Sequence, residues 1–178
     1  MKQRNEIKGM TLSAMFLALA FVMPFLTGQI PQIGSMLCPM HIPVLLCGFF
    51  CGGPWGLAVG VMAPVLRSVT LGMPQMFPTA MCMAFELGTY GLASGMLHNI
   101  LPKKKVFIYV SLLGAMVMGR IVWGVAMFAC MGFDASKFGM TAFVTGAITT
   151  AVPGIIVQIV LIPLLVIALE KVVDKNSI

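Results

Sequence analysis

Apolar residues run in six long stretches along the chain, and glycine, proline or charged residues stand between them. A helix of about 20 apolar residues spans the hydrocarbon core of a bilayer. We therefore predict six membrane helices, with the approximate ranges 9–26, 39–51, 55–71, 78–97, 106–131 and 140–169. The second range is short for a span, which leaves open a five-span alternative in which that segment is re-entrant.

Composition places the whole chain in lipid. Of its 178 residues 60% are hydrophobic and only 9% are charged, and the mean hydropathy is +1.03. A soluble domain of this length has no means of hiding so much apolar surface from water. The predicted fold is an all-α integral membrane protein with a single transmembrane domain over residues 1–178. It leaves almost no chain for a soluble catalytic domain.

The positive charges decide between the two topologies. With six spans, the N-terminus, the turn after the second span, the loop after the fourth span and the C-terminal tail all lie on one side. That side carries eight lysines and arginines, and the opposite side carries one, Lys137. Such residues mark the cytoplasmic side of a membrane protein. Five spans would separate the N-terminus from the lysines at 103–105, so we predict six spans with both termini cytoplasmic.

Four ionisable side chains interrupt the predicted spans: His41, Arg67, Glu86 and Arg120. A charge at the centre of a membrane helix costs at least ~2.5–3.5 kcal/mol by insertion scales, and such residues mark functional sites by default. In the six-span topology all four lie in the outer half of the bilayer. This shared depth predicts a polar cavity that opens to the outside.

Aromatic and hydroxyl side chains accompany these charges. Tyr90 follows Glu86 by one helical turn, Trp123 follows Arg120 by one turn, and the sixth span carries Thr149. A lining of this kind suits a small polar organic ligand. The predicted substrate-binding residues are Glu86, Arg120, Arg67, His41, Tyr90, Trp123 and Thr149.

A structural interpretation stands beside each of these predictions. Glu86 and Arg120, which we expect to face each other, could form a buried ion pair that only locks the bundle. Arg67 could extend to the outer headgroups, and His41 could be an ordinary residue at a helix start. Whether the pair of Glu86 and Arg120 is a lock or a ligand site stays open at this point.

Sequence motifs for catalysis are absent. The chain has no phosphate-binding glycine loop followed by lysine, no HExxH, no GxSxG and no paired carboxylates. Its five cysteines include no CxxC pair and predict no metal site. We therefore expect no enzymatic activity and no cofactor. A chain this short also has no room for the inverted repeats of secondary transporters.

The sequence resembles the substrate-binding S components of energy-coupling factor (ECF) vitamin transporters. The features that carry the resemblance are the chain length, six spans with both ends inside, the "SAMFLALA" opening of the first span and the run "PVLLCGFFCGGPWGLAVG" across the second and third. The resemblance covers nearly the whole chain. The central run is its more specific part.

The resemblance implies a division of labour. An S component of a prokaryotic plasma membrane binds a small vitamin or precursor in an outward-facing pocket. It then docks on a transmembrane T component that is driven by two cytoplasmic ATPases. By position, Ala14 and Ala18 match the docking face of the first helix. Residues of the following loop match a gating loop: Gly28, Pro31, Gln32 and Ser35.

The identity of the ligand is less constrained than its class. Two arginines against one glutamate favour an anion such as pantothenate over a cation such as thiamine. The scarcity of aromatic residues favours a small ligand, such as pantothenate or a pyridoxine-like compound, and riboflavin, folate, niacin and queuosine-type precursors stay open. Two rival functions remain: a structural or regulatory membrane subunit without cargo, and a stand-alone secondary carrier.

Overall fold

The computed structural model describes residues 2–27, 38–102, 104–132, 145 and 152–175. Within these residues the chain forms six α-helices and no strand, which confirms the predicted all-helical class. A 3-10 turn, Met23–Thr27, extends the first helix, and a π-helical turn, Met76–Ala80, leads into the fourth. The helices are α1 (Lys2–Val22), α2 (His41–Cys51), α3 (Gly53–Leu71), α4 (Met81–Ile100), α5 (Lys105–Cys130) and α6 (Val152–Lys175).

Four helical segments are long and apolar enough to cross a membrane: Glu6–Phe25, Gly53–Leu71, Lys105–Cys130 and Val152–Leu169. The helix α2 is apolar but has only 11 residues. The helix α4 has 20 residues but carries a carboxylate and many small residues. The six described helices match the six predicted segments in order. That all six cross the bilayer, and that both termini are cytoplasmic, stay predictions.

The helix ends differ from the predicted ranges mainly at the two ends of the chain. The first helix begins at Lys2 rather than near residue 9, because it continues through the polar residues that precede the apolar run. The last helix continues to Lys175, past the predicted end at 169, for the same reason. Its described part begins at Val152, and residues 140–151, apart from 145, lie outside the described residues.

The centre of the bundle is α4, which packs against α2, α3 and α5. The closest approach is between α3 and α4, where the backbones of Gly56 and Gly91 touch and a Cβ on either would collide with the other. Small residues at such crossings let helices pack tightly in lipid, where no hydrophobic drive holds them together. The helix α1 packs on α2 and α3, and α6 packs on α5 and α2.

The four ionisable residues of the predicted spans lie toward one end of the bundle. His41, at the start of α2, contacts Glu86, near the start of α4, so both helices begin at this end. Arg67, near the end of α3, contacts Phe21, near the end of α1, so both of these helices end there. The helix α5 also ends there, where Cys130 contacts the start of α4. We call this the charged end, and the alternating direction of the helices is what gathers the four residues there.

Candidate ligand site

The centre of the candidate site is the carboxylate of Glu86, in the second turn of α4. Its Oε1 lies 3.0 Å from Nη1 of Arg120 on α5, as expected for a direct ion pair. The side chain of Glu86 is 3% exposed and that of Arg120 is 16% exposed. The predicted pairing of these two residues is therefore present. Because breaking a buried pair leaves an uncompensated charge in a medium of low dielectric, each partner depends on the other.

Tyr90 adds a second contact to the same oxygen. It lies one turn after Glu86 on α4, is fully buried, and donates its hydroxyl hydrogen to Glu86 Oε1 at 3.1 Å. The ring lies against the backbone of Gly119 on α5, and a Cβ at that position would collide with it. Gly119 thus makes the space that lets Tyr90 reach Glu86. The next residue, Arg120, carries the positive charge that pairs with Glu86.

His41 completes the group from the first turn of α2. Its Nε2 lies 3.5 Å from Glu86 Oε1, a close approach without the geometry of a hydrogen bond. Its ring lies 5.2 Å from the ring of Tyr90, between centroids. Three helices therefore place three polar side chains around one carboxylate oxygen of Glu86. We call His41, Glu86, Tyr90 and Arg120 the Glu86 cluster.

The cluster contains polar atoms that the described residues do not satisfy. Both ring nitrogens of His41 and the Nε of Arg120 are buried and have no hydrogen-bond partner among the described residues. A buried donor or acceptor left without a partner costs roughly 1–3 kcal/mol. A bound molecule with matching acceptors and donors would recover that cost. The arrangement is suited to holding a small polar ligand.

Cys38 extends the cluster just before α2. Its thiol lies against the guanidinium of Arg120, and its backbone adopts a positive φ of 47°. The carbonyl of Cys38 accepts the backbone N–H of His41 at 3.0 Å, which starts α2 at this point. Cys38 was not among the residues predicted for the site. A cysteine at the edge of an apolar run carries no signal that would have placed it beside a charge.

Arg67 has different partners from Arg120. It is buried on α3, donates from Nη1 to the carbonyl oxygen of Phe21 at 3.1 Å, and lies 5.4 Å from the ring centroid of Phe25. These contacts fasten α3 to the end of α1. The described contacts of Arg67 are therefore with Phe21 and Phe25 rather than with Glu86, and its predicted role in ligand binding stays a prediction.

The other predicted site residues divide into three groups. Trp123 is half-buried on α5, one turn beyond Arg120. Ala14 and Ala18 are exposed on α1. Thr149 and the four residues of the predicted gating loop, Gly28, Pro31, Gln32 and Ser35, lie outside the described residues.

Several buried polar residues of the helices were not predicted from the sequence, among them Gln158 and Ser111. Gln158 on α6 is 1% exposed, and Ser111 on α5 is fully buried with its hydroxyl unpartnered among the described residues. A glutamine inside the apolar run "IIVQIVLI" was a readable signal, since an uncharged amide in lipid also needs a partner. A single serine in a membrane helix is too common to be one.

An open groove of about 410 Å³ lies at the opposite end of the bundle from the Glu86 cluster. Its lining mixes charged, aromatic and small side chains from α1, α2 and α3: Glu6, Lys8, Gly9, Leu12, Phe50, Cys51 and Trp55. The described residues contain no group of three His, Cys, Asp or Glu side chains that could hold a metal ion.

A family model described as "ECF transporter, substrate-specific component" matches residues 8–166. The chain belongs to this family. The match runs from the first helix into the sixth and includes all four residues of the Glu86 cluster. No curated protein and no solved structure matches the chain.

Membership in the ECF substrate-specific component family settles the broad function. The chain is a multi-pass membrane protein and a substrate-binding component of a transporter. The family is not an enzyme family. It implies a small-molecule substrate and, in general, a T component and ATPase subunits as partners. The resemblance noted from the sequence is thereby confirmed.

Proposed function

We propose that this S component captures a small water-soluble vitamin or vitamin precursor at the Glu86 cluster. The ligand arrives from outside a prokaryotic cell, through the charged end, and the protein delivers it with a T component and two cytoplasmic ATPases. The orientation follows from the lysines and arginines, eight of which lie on the opposite side in the six-span topology. The Glu86 cluster then lies in the outer half of the plasma membrane.

One observation carries the proposal of the ligand site. Three nitrogen atoms around Glu86, two on His41 and one on Arg120, are buried without a hydrogen-bond partner among the described residues. A site that serves only to lock helices gains nothing from leaving these atoms unsatisfied, since each costs free energy. A ligand that accepts from Arg120 and binds His41 turns that cost into affinity.

The charges of the cluster favour an uncharged or zwitterionic ligand. The charges of Glu86 and Arg120 cancel one another, and Arg67 contacts a backbone carbonyl and an aromatic ring rather than this pair. The predicted preference for an anionic ligand rested on two arginines near the ligand, and only Arg120 is in the cluster. An anionic ligand would also compete with Glu86 for Arg120. A hydroxylated ring of the pyridoxine type therefore suits the cluster better than a carboxylate of the pantothenate type.

The docking surface belongs to α1 in this proposal. Its residues Ser13, Phe16 and Ala20 are buried against the bundle, whereas Ala14 and Ala18 are exposed. Two small residues one turn apart on an exposed face let another helix approach closely. We propose that the T component packs there.

A structural lock is the second candidate function for the cluster. In its favour, one oxygen of Glu86 already has Arg120, Tyr90 and His41 around it. A structural lock predicts that the ion pair stabilises the protein but that no molecule is bound. A ligand site predicts both a stabilising ion pair and a bound molecule. Recovery of a bound molecule from the protein separates the two.

The experiment is mass spectrometry of small molecules released from the purified full-length protein. We expect near-stoichiometric recovery of one vitamin-like compound from the wild type and from Glu6→Gln, an exposed glutamate at the opposite end of the bundle. Recovery should fall at least tenfold from Glu86→Gln. Equal recovery from all three proteins, or none from the wild type after growth in complete medium, would contradict the proposed ligand site.

A further inference from the structure

Two free cysteines, one on α4 and one on α5, lie in contact at the charged end. The Sγ of Cys82, in the first turn of α4, lies 3.6 Å from the Sγ of Cys130, the last residue of α5. Both are unbonded thiols in this structure. Two sulfur atoms at this separation are in van der Waals contact, so a bond between them needs little movement of either helix.

The position of this pair relates it to the Glu86 cluster. Cys82, Glu86 and Tyr90 follow one another at intervals of four residues, so they lie along one face of α4. Cys130 lies beyond Arg120 on the way to the end of α5. The thiol contact therefore stands between the cluster and the end of the bundle, on the same two helices that hold Glu86 and Arg120.

The two thiols differ in access. Cys82 is fully buried, whereas Cys130 is half-buried at a helix end. A reagent therefore meets Cys130 first, and Cys82 is the neighbour that can react with the product. A reachable thiol next to a second thiol is the usual arrangement of a redox-sensitive pair.

We infer that Cys82 and Cys130 are a redox-sensitive pair that a hydroperoxide converts into a disulfide joining α4 to α5. The sulfur of Cys130 attacks one peroxide oxygen and becomes a sulfenic acid, and one water leaves. The thiol of Cys82 then attacks that sulfur, and a second water leaves. In sum, two thiols and one hydrogen peroxide give one disulfide and two waters, with both sulfurs oxidised and the peroxide reduced.

The disulfide fixes the spacing of the two helices beside the ion pair of Glu86 and Arg120. Only the source of the oxidant rests on the proposed orientation, since the charged end then faces the extracellular side, where disulfides persist. The bond also closes a loop between residues 48 positions apart, and a loop of this length restricts the unfolded chain strongly. Oxidation should therefore raise stability.

The test uses the full-length protein in detergent, reduced and then exposed to hydrogen peroxide. Thiols are counted by maleimide labelling under denaturing conditions, and the linked peptides are identified by mass spectrometry without reduction. We expect the count to fall from the five of the sequence to three, with Cys82 linked to Cys130. The apparent melting temperature should rise by about 5 °C or more and return on reduction.

Two variants serve as controls. Cys47→Ser, on α2, should still lose two thiols and gain stability on oxidation. Cys130→Ser should show neither the linked peptide nor the stabilisation, and Cys82→Ser repeats this test if Cys130→Ser does not fold. Five remaining thiols, a linkage through Cys38 instead, or a disulfide without a change in melting temperature would overturn the inference. None of these readouts uses the ligand, so the result is independent of the proposed function.

Discussion

The two arginines of the apolar helices, the largely buried Arg120 and the buried Arg67, have different partners that offset the cost of a charge in lipid. Arg120 pairs with the carboxylate of Glu86, and its Nε has no hydrogen-bond partner among the described residues. Arg67 donates to the carbonyl oxygen of Phe21 and lies over the ring of Phe25. Arg120 thus retains unused hydrogen-bonding capacity next to the charge of Glu86, whereas Arg67 joins α1 and α3 through neutral groups.

Depth in the membrane alone therefore does not identify a ligand residue. Both arginines lie toward the charged end, and the same cost of burial applies to each. What separates them is the partner. A charge whose partners are a backbone carbonyl and an aromatic ring is accounted for by packing. A charged pair with unsatisfied nitrogens around it retains hydrogen-bonding capacity, and we propose that a ligand uses it.

The largest effect should be on uptake and should come from the exposed face of α1, the helix whose end contacts Arg67. Replacing both Ala14 and Ala18 by tryptophan should abolish uptake in cells that contain the T component and ATPases, because bulky side chains hold two helix backbones apart. Ligand binding by the purified variant should be unchanged. Tryptophan at Ile156 and Val160, which have the same spacing on the exposed face of α6, is the control. Lost ligand binding in the alanine variant would indicate internal packing instead.

The next effect concerns the ion pair. We expect Glu86→Gln or Arg120→Gln to lower the free energy of unfolding by about 3–5 kcal/mol, because each leaves a buried charge unpaired. The double variant should regain a large part of that loss, since it leaves neither charge alone. Thermal or denaturant unfolding of the four proteins measures this coupling. Losses that simply add in the double variant would show that the two residues are independent.

Arg67 should give a smaller effect of a different kind. Arg67→Gln should cost about 2–3 kcal/mol of stability, from a charge-assisted hydrogen bond and a cation–π contact. Arg67→Lys, which keeps the charge, should lose less. Ligand affinity should change by less than about threefold in both, because Arg67 contacts Phe21 and Phe25. A tenfold loss of affinity in a folded Arg67→Lys would place this arginine in the ligand site, as the sequence analysis proposed.

The smallest effect sharpens the description of the cluster itself. Gly119→Ala should cost about 1–2 kcal/mol, because the added methyl group meets the ring of Tyr90 and displaces it from Glu86. Gly114→Ala on the same helix is the control, since its added methyl would meet only the flexible side chain of Leu97. Differential scanning of both variants gives the comparison. Equal stability of the two would show that Tyr90 does not depend on the space at Gly119.

Much of the fold was readable from the sequence because lipid imposes a simple rule. Apolar runs bounded by glycine, proline and charge predicted six helices, and the described residues contain six in that order. The pairing of Glu86 with Arg120 was also predictable, since a single carboxylate at the depth of an arginine has few other partners. Alternating helix direction brings residues of equal depth to the same end of the bundle.

The rest of the site depends on contacts that residue types do not announce. The partner of Arg67 is a backbone carbonyl of another helix, and every residue offers one. The contact of Gly119 with Tyr90 depends on how α5 is rotated against α4. The same rotation brings Cys82 to Cys130. Hydropathy fixes which segments are helices, but packing decides which side chains meet.

The measurement that tests the central claim most directly is the affinity of the identified ligand for Glu86→Gln, determined by calorimetry on protein shown to be folded. We predict that the Kd rises at least tenfold, which is about 1.4 kcal/mol of binding free energy, and that it rises comparably in Arg120→Gln. An unchanged Kd in Glu86→Gln, with a double variant that simply regains stability, would contradict it. The pair would then be a structural lock, and the ligand would bind elsewhere.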